Sequence, residues 1–473
     1  MLNSIDIQPD PARLISALTH IGYKLEDSIS DLVDNAISAS AKNILIRFLH
    51  DGSNIKEILV ADDGSGMLPP VLKESMRFGS AEKTDKSTLG KYGLGLKLAS
   101  LAYCDNLRVL SKVGPTLSGL SWSVEGISKG WQCGRLNNKD CRKTIQAKYG
   151  PVVLEKSGTV VQWCELKNLP THKKGIRSLL SGIAKRLQLH LGTRFHRFIQ
   201  DGRVTIHLDQ QIADTIPEDY WLSIKALDPF GYEESGHPDY PCKFRSGPIV
   251  QAGSVKLEAH IWPPKSESEN YRLGKRTSAN QGFFVYRNDR LIQAGGWLGL
   301  VNDETEAHSS LARIKMDLPK AVEDLFSLNV QKSNIIPPIE FADAIRNSTN
   351  KNGLTWEQFR SAAISTYRMA NHSSPKAIFV LKGDKLKNNS TINQPVGIKW
   401  STVENAPAIH FDGANLVLNK KLNFRKEIAA PDYLERLLVE ITLWLMNEQK
   451  VTGSNPFSSN LTSSIERILH ETK

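Results

Sequence analysis

The first clear pattern of apolar and polar positions lies between residues 23 and 41. Apolar side chains recur there at intervals of three and four residues, at Leu25, Ile29, Leu32, Val33, Ala36 and Ile37. This spacing predicts an amphipathic helix. Asp31, Asn35 and Ser38 fall on the opposite stripe, so Asp31 and Asn35 would lie one above the other and face a common space. Taken alone, the pattern equally describes an ordinary helix with a solvated acidic face.

A predicted strand and a glycine turn follow this helix. Residues 55–61 are rich in β-branched and apolar side chains and predict a strand, at whose end Asp62 lies. Gly64 and Gly66 then predict a tight turn in which the backbone can approach a flat ligand closely. An Asp–Gly turn without any ligand is the plain alternative.

A glycine-rich, basic segment at 76–98 leads into an apolar run that is typical of a helix. Backbone N–H groups at the start of a helix favour phosphate. The run GKYGLGLK at 90–97 lacks the lysine–serine pair of a P-loop. A further β-branched strand begins at 157–161 and contains Thr159. Each signal is weak, but together they predict a nucleotide site without a P-loop.

The order of DLVDN at 31–35, DDGSG at 62–66 and GKYGLGLK at 90–97 resembles the GHKL superfamily of ATPases. This superfamily includes DNA gyrase B subunits, large heat-shock chaperones, sensor histidine kinases, MutL proteins and MORC ATPases. The glycine-rich run is most similar to MORC-type sequences, and the chain as a whole resembles bacterial MORC-like and MutL-like ATPases. The resemblance implies an α+β protein whose first domain is a Bergerat-type α/β sandwich that binds ATP and Mg²⁺.

The resemblance also implies roles for individual residues. Asn35 would ligate Mg²⁺, Asp31 would activate the water that attacks the γ-phosphate, Asp62 would accept a hydrogen bond from the adenine amino group, and Thr159 would reach adenine through water. Asp31 stands where the family usually has glutamate, and its shorter side chain implies slow turnover or a second water. Asp34 points about a hundred degrees away and is the weaker candidate base. The other implied nucleotide contacts are Gly64, Gly66, Met67, Gly90, Tyr92, Gly93, Leu94, Gly95 and Lys97, the last as a phosphate contact.

The length of 473 residues predicts two or three domains. We expect an ATP-binding domain at 1–170 and a transducer domain similar to ribosomal protein S5 at 171–340. A small mixed domain at 341–473 would serve dimerisation or partner binding. Further predicted elements are strands at 204–208, 282–286 and 312–318, a connection rich in proline, glycine and charged residues at 229–271, helices at 340–372 and 433–446, a basic loop at 382–390 and a hairpin at 408–418.

Two segments of the second domain carry the resemblance further. Residues 281–292 resemble a strand of MutL- and MORC-like proteins, and residues 326–333 resemble the loop with the family's γ-phosphate-sensing lysine, here Lys332. A lysine that reaches across from another domain would detect the triphosphate and set the angle between the domains. A surface lysine in a loop is the alternative.

The net charge of +10 favours polyanionic partners. Much of it lies in residues 172–203, which predicts a surface that contacts DNA phosphates there. The alternative is a helix whose arginines lie along its own protein surface. The segment contains Lys173, Lys174, Arg177, Lys185, Arg186, Arg194 and Arg197, interleaved with His190, His196, Phe195 and Phe198.

Two further features bear on location and redox state. No run of eighteen apolar residues occurs and the first residues lack a signal-peptide pattern, so we expect a cytoplasmic protein without a membrane span. The five cysteines include no CxxC pair and predict reduced thiols without a disulfide framework or zinc site.

These observations lead to two hypotheses. In the first, the chain is a slow ATPase that forms a homodimer on binding ATP and acts as a nucleotide-gated clamp on DNA. A role in a restriction or antiphage defence system, with other proteins of that system as partners, rests on the resemblance alone. In the second, the chain is a chaperone-like or regulatory ATPase that remodels a protein partner without DNA.

Overall fold

The computed structural model describes residues 10–19, 22–79, 95–170, 175–213, 215, 220–249, 253–301, 306–319, 325–328, 335–372, 397–401, 409–412 and 415–419. The chain divides into two compact units, Met1–Arg368 and Met369–Lys473. In the described residues, no helix is both long enough and apolar enough to cross a membrane. Each of the five cysteines is a free thiol in this structure.

The helices of the described residues are α1 (Pro11–Thr19), α2 (Leu25–Ser38), α3 (Pro69–Ser75), α4 (Gly95–Leu101), α5 (Val124–Ser128), α6 (Asn138–Ile145), α7 (Ile176–Arg194), α8 (His196–Gln200), α9 (Glu269–Arg272), α10 (Phe341–Arg346) and α11 (Trp356–His372). The strands are β1 (Asn43–His50), β2 (Ile55–Asp62), β3 (Cys104–Val113), β4 (Thr116–Ser123), β5 (Gly134–Arg135), β6 (Ser157–Leu166), β7 (Thr205–Ile212), β8 (Leu222–Ser223), β9 (Cys242–Arg245), β10 (Lys256–Ile261), β11 (Gly282–Arg287), β12 (Arg290–Ala294), β13 (Ala312–Asp317), β14 (Ser327–Leu328), β15 (Ile335–Ile336), β16 (Thr349–Asn350), β17 (Gly397–Ser401), β18 (Ile409–Asp412) and β19 (Asn415–Asn419).

The first sheet is mixed. In the described part of the chain its strand order is β5-β4-β3-β6-β2-β1-β7-β8, with β1 and β7 parallel and the other neighbours antiparallel. Successive side chains of β1 point to opposite faces of the sheet, so both faces are covered by apolar contacts. Ile44 and Ile46 point into a large core with α2, α4 and α7, whereas Leu45 points into a smaller core with α6. The predicted helix at 23–41 and strand at 55–61 are confirmed as α2 and β2.

The first core continues beyond the boundary expected at residue 170. Helix α7 contributes Leu187 to it, and β7 extends the sheet beside β1. The last buried residue of this core is Ile224. The strand predicted at 204–208 therefore exists, but it belongs to the first sheet because its apolar face packs on α7.

The second sheet lies in the same compact unit. Across the described residues its order is β12-β11-β13-β10-β9-β16, with β11 and β13 parallel. The strands predicted at 282–286 and 312–318 are confirmed as β11 and β13. The connection at 229–271, expected from its proline, glycine and charged residues, also contains β9 and β10, and Leu257, Ala259 and Ile261 of β10 alternate into the second core.

Helices α10 and α11 cover part of this second core. The single helical region expected at 340–372 is interrupted between them by β16 and by Gly353, whose φ of +79° ends any helix. Phe341, Trp356 and Phe359 are buried on these helices. The break lets both helices turn their aromatic side chains towards the sheet.

In the second unit, the described residues form strands in the order β17-β19-β18. Strands β18 and β19 are antiparallel, which confirms the predicted hairpin at 408–418. The predicted loop at 382–390 and helix at 433–446 lie outside the described residues.

Candidate functional site

Asp62 ends β2 as a buried carboxylate. Its side chain is 6% exposed, and its Oδ1 accepts a hydrogen bond from the Gly64 N–H at 3.0 Å. Burial raises the pKa of this carboxyl to about 7; the Gly64 N–H lowers it and the charge of Asp63 raises it further. A buried acid with so perturbed a pKa is typical of a binding or catalytic site.

A hydrogen-bond network lies next to this carboxylate. Asp62 is paired across β2 and β6 with Thr159, whose Oγ1 is 3.0 Å from Ser111 Oγ. Ser111 Oγ also accepts from the Met67 N–H at 2.8 Å and lies 3.1 Å from the Gly158 carbonyl. The structure thus brings together Asp62, Met67 and Thr159 as the sequence predicted, and it adds Ser111, which the sequence analysis missed.

The glycines of the turn are required by close packing. A Cβ on Gly64 would lie 2.8 Å from the Ala39 carbonyl oxygen. Gly66 has a φ of +67°, and a Cβ there would lie 2.1 Å from the Lys112 carbonyl oxygen. Any side chain at Gly66 would therefore collide with β3. The turn is therefore held against the end of α2 and against β3.

Helix α2 carries the second group of predicted residues. Asp31 is 2% exposed and Asp34 is 1% exposed, whereas Asn35 is exposed. An ordinary helix with a solvated acidic face would not bury two aspartates. Asp31 lies against the start of α4, because a Cβ on Gly95 would be 3.2 Å from Asp31 Oδ2. Of the two polar residues on this side of α2, Asp31 is therefore buried and Asn35 is exposed.

The comparison with known families bears directly on this arrangement. Residues 23–150, which contain α2, β2 and the Asp62 turn, match the family model described as "Histidine kinase-, DNA gyrase B-, and HSP90-like ATPase". The chain carries a GHKL ATPase domain. The mixed sheet with α2, α4 and α7 on one face is consistent with that domain.

Two curated proteins match part of this chain. Protein MICRORCHIDIA 6 of Arabidopsis thaliana is 27% identical over 89 residues, which are 18% of this chain and 13% of that protein. ATPase morc-1 of Caenorhabditis elegans is 33% identical over 102 residues, which are 22% of this chain and 12% of that protein. The matches thus span about an eighth of these relatives. The resemblance to GHKL and MORC-like ATPases is confirmed.

Lys97 does not occupy the position expected of a phosphate contact in the GHKL domain. Its side chain is 1% exposed, and its Nζ donates to the carbonyls of Ser75 at 2.8 Å and Arg77 at 2.7 Å, at the end of α3. Nζ also lies 5.8 Å from the centre of the Phe78 ring. Burial lowers the pKa of this ammonium to about 8. Lys97 therefore ties α4 to α3, and its donors are directed at backbone carbonyls.

We predict that Lys97→Met lowers the free energy of unfolding by about 2–4 kcal/mol, because two buried carbonyls lose a charged donor. Urea denaturation followed by circular dichroism measures this effect. Lys73→Met, at an exposed position of α3, is the matched control and should change stability little. Unchanged stability in Lys97→Met, together with weakened ATP binding, would instead return Lys97 to the phosphate role.

The remaining predicted contacts Gly90, Tyr92, Gly93, Leu94 and Lys332 lie outside the described residues, and their roles stay predictions. Gly95 is described and begins α4.

The arginines at the C-terminal end of the basic segment at 172–203 contact the protein itself, while Lys173 and Lys174 lie outside the described residues. Arg194 donates to the carbonyl of Leu291 at 3.0 Å and to that of Ile292. Arg197 and Arg203 both pair with Asp289, and Arg197 also covers the Tyr286 ring at 3.5 Å. Of the interleaved aromatic side chains, Phe195 and Phe198 are buried.

These residues connect the GHKL domain to the second sheet. Within the described residues of the segment, Arg177 and Lys185 remain exposed, while the exposed Arg186 pairs with Glu26 at 2.5 Å. The segment therefore has both engaged and exposed basic side chains, and a DNA-contacting surface there stays a prediction.

Proposed function

We propose that this chain binds ATP with Mg²⁺ between α2 and the turn at 62–67, and hydrolyses it. The observation that carries the proposal is the buried Asp62 carboxylate beside Thr159, Ser111 and Met67. An ionised carboxylate accepts hydrogen bonds only, and it suits the exocyclic amino group of adenine. Thr159 and Ser111 offer hydroxyls that can hold a water at the same edge of the base.

The donor set also suits the cation. Asn35 presents an amide oxygen on the exposed end of the α2 stripe, and Mg²⁺ prefers oxygen ligands and retained waters. Asn35 would hold Mg²⁺, which supplies charge neutralisation for the phosphates. The glycine-rich segment at 90–97 would cover the phosphates, as the resemblance implies.

In this proposal Asp31 receives the proton of the attacking water. Its carboxylate is buried and fixed on a helix, which is where a positioned base is effective. Because Asp31 is one methylene shorter than the family's usual glutamate, we expect slow turnover. Lys332, if it senses the γ-phosphate, would couple this site to the second sheet.

We further propose that ATP binding pairs two copies of the chain and that the resulting dimer acts as a clamp on DNA. This step rests on the likeness to MORC ATPases. The second candidate, a regulatory ATPase that remodels a protein partner, is favoured by one observation: Arg194, Arg197 and Arg203 are engaged within the chain.

Steady-state ATP hydrolysis with and without duplex DNA, at two salt concentrations, separates the two candidates. For a DNA clamp we expect stimulation that fades as salt rises, because phosphate contacts release counterions. Turnover indifferent to DNA would favour a protein partner. Asn35→Ala is the control variant: it should fold and lose Mg-ATP binding, and tight residual binding would show that the cation site is misassigned.

A further inference from the structure

One arginine of the second sheet reaches the helix that carries the candidate base. Arg290, the first residue of β12, is 4% exposed in its side chain and pairs with Asp34 Oδ2 at 2.7 Å. Its second guanidinium nitrogen lies 3.9 Å from Asp31 Oδ1 and donates to Ser30 Oγ at 3.2 Å. A single guanidinium therefore lies between the two buried aspartates of α2.

The hairpin that presents Arg290 is tightly built. Asn288 and Asp289 have φ values of +48° and +65°, as in the two-residue turns that favour Asn and Asp between antiparallel strands. Asp289 is paired with Arg197 at 3.2 Å and with Arg203 at 2.9 Å. The tip of the hairpin is thus anchored to residues that follow α7.

The residues after Arg290 are anchored as well. Arg194 of α7 donates to the carbonyls of Leu291 and Ile292. Arg197 and Arg203 hold the residue before Arg290, and Arg194 holds the two residues after it. The Arg290 guanidinium therefore has little freedom to move away from Asp31 and Asp34. This arrangement fixes a side chain of the second sheet beside the nucleotide site.

Electrostatics explain why the position matters. A buried carboxylate is costly unless a positive charge and hydrogen bonds compensate it. Asp34 holds the guanidinium at ion-pair distance, and the guanidinium in turn presents positive charge to Asp31 at 3.9 Å. The other titratable groups that act in this cluster are Lys24, Asp27 on α2, His190 and Arg194 on α7, Tyr23 and Lys275.

We propose that Arg290 is a positioning residue for Asp31, so that ATP hydrolysis depends on the seating of the second sheet against α2. The inference rests on the proposed role of Asp31 as the base. Arg290 would not touch the nucleotide; it would hold the Asp31 carboxylate in the orientation that receives a proton. Displacement of the hairpin by a partner or by a second copy would then slow hydrolysis without emptying the site.

The test compares Arg290→Gln and Arg290→Lys with wild type, measuring kcat and, separately, the equilibrium Kd for ATP. For Arg290→Gln we expect kcat to fall about a hundredfold, since small misplacement of a catalytic group costs that much, while Kd stays within about threefold. Arg290→Lys keeps the charge but loses the planar fork, so it should recover part of kcat.

Arg47→Gln is the matched control for loss of a buried Arg–Asp pair. Arg47 pairs with Asp209 at 2.6 Å on the α6 face of the first sheet, away from α2. Arg47→Gln should lower the midpoint temperature of unfolding, yet kcat should stay within about threefold of wild type, because the loss of the Arg47–Asp209 pair does not affect Asp31.

The outcomes separate this inference from the proposed function. Absence of ATP turnover in wild type would overturn the proposed function and this inference with it. Wild-type turnover with an unchanged kcat in Arg290→Gln would overturn the inference alone. So would equal losses of kcat in Arg290→Gln and Arg47→Gln, or a loss of ATP binding as large as the loss of kcat.

Discussion

Asp62→Asn is expected to weaken ATP binding by at least about a hundredfold while the protein stays folded. Asparagine lacks the negative charge of the carboxylate, and its side-chain amino group can face the adenine amino group as a second donor. A binding site that depends on one buried hydrogen bond loses much of its affinity when that bond is lost. Relief of a buried charge at this position should leave the fold at least as stable as wild type, because burial raises the pKa of Asp62 to about 7. Calorimetric titration with Mg-ATP measures the effect.

Asp63→Asn is the matched control for this variant. The Asp63 carboxylate accepts from the backbone N–H groups of Lys42 at 2.7 Å and Asn43 at 2.9 Å, so it supports the start of β1 and not the pocket. Its replacement should leave ATP affinity nearly unchanged. Equal losses in Asp62→Asn and Asp63→Asn would remove Asp62 from the adenine site.

The same carboxylate predicts a pH dependence of binding. Ionised Asp62 is a stronger hydrogen-bond acceptor for the adenine amino group than the neutral acid, and its pKa of about 7 means that most of it is ionised at pH 8 and little at pH 6. The Kd for ATP should therefore rise about tenfold between pH 8 and pH 6. The free energy of unfolding of the ATP-free protein should change with pH in the opposite direction. The contribution of Asp62 to it is fully present below the ordinary aspartate pKa and is lost as pH rises through about 7. Neither trend should appear in Asp62→Asn.

Asp31→Asn is expected to lower kcat by at least about a hundredfold with ATP affinity little changed. An asparagine cannot take the proton of the attacking water, and general-base catalysis contributes about 10²–10⁴ in rate. Single-turnover hydrolysis beside equilibrium binding separates the two quantities. Loss of binding together with turnover would mean that Asp31 holds the substrate or the fold instead.

The matched control lies on the same helix. Glu26→Gln removes a partly buried carboxylate that pairs with Arg186 and lies five residues before Asp31 on α2. It should keep kcat near the wild-type value. Wild-type turnover in Asp31→Asn would contradict the assignment and point to another proton acceptor.

Local pattern was sufficient for many of the elements that form the site. The three- and four-residue spacing of α2, the β-branched run of β2 and the turn residues at 62–67 depend on neighbours in the chain, and each was predicted correctly. The register that places Thr159 opposite Asp62 depends on strand pairing, and the family resemblance implied only that both residues serve the adenine site.

What the sequence did not yield depends on contacts between distant residues. Ser111 looks like any polar residue of a strand until β3 is placed beside β6. Lys97 follows a glycine-rich run and suggests phosphate, yet the carbonyls that end α3 lie within its reach. Arg290 is separated from Asp34 by some 250 positions along the chain, and no local pattern links them.

The basic segment at 172–203 illustrates the same limit for charge. A run of arginines describes composition, but it does not say whether the side chains meet solvent or carboxylates. Arg197 and Arg203 meet Asp289, which is far away in sequence. The first core also extends through this segment because Leu187 and Leu191 pack on α2 and its sheet. Both features have one cause: the segment completes a layer that begins more than a hundred residues earlier.

The central claim is that the Asp62 carboxylate recognises the adenine base in a GHKL-type nucleotide site. The most direct measurement is calorimetric titration of the wild-type chain with Mg-ATP and, in parallel, with Mg-GTP. Guanine has a carbonyl where adenine has its amino group, so an ionised Asp62 would repel it. We expect ATP to bind and GTP to bind at least about a hundredfold more weakly. Equal affinity for the two nucleotides, or no binding of ATP, would contradict the account.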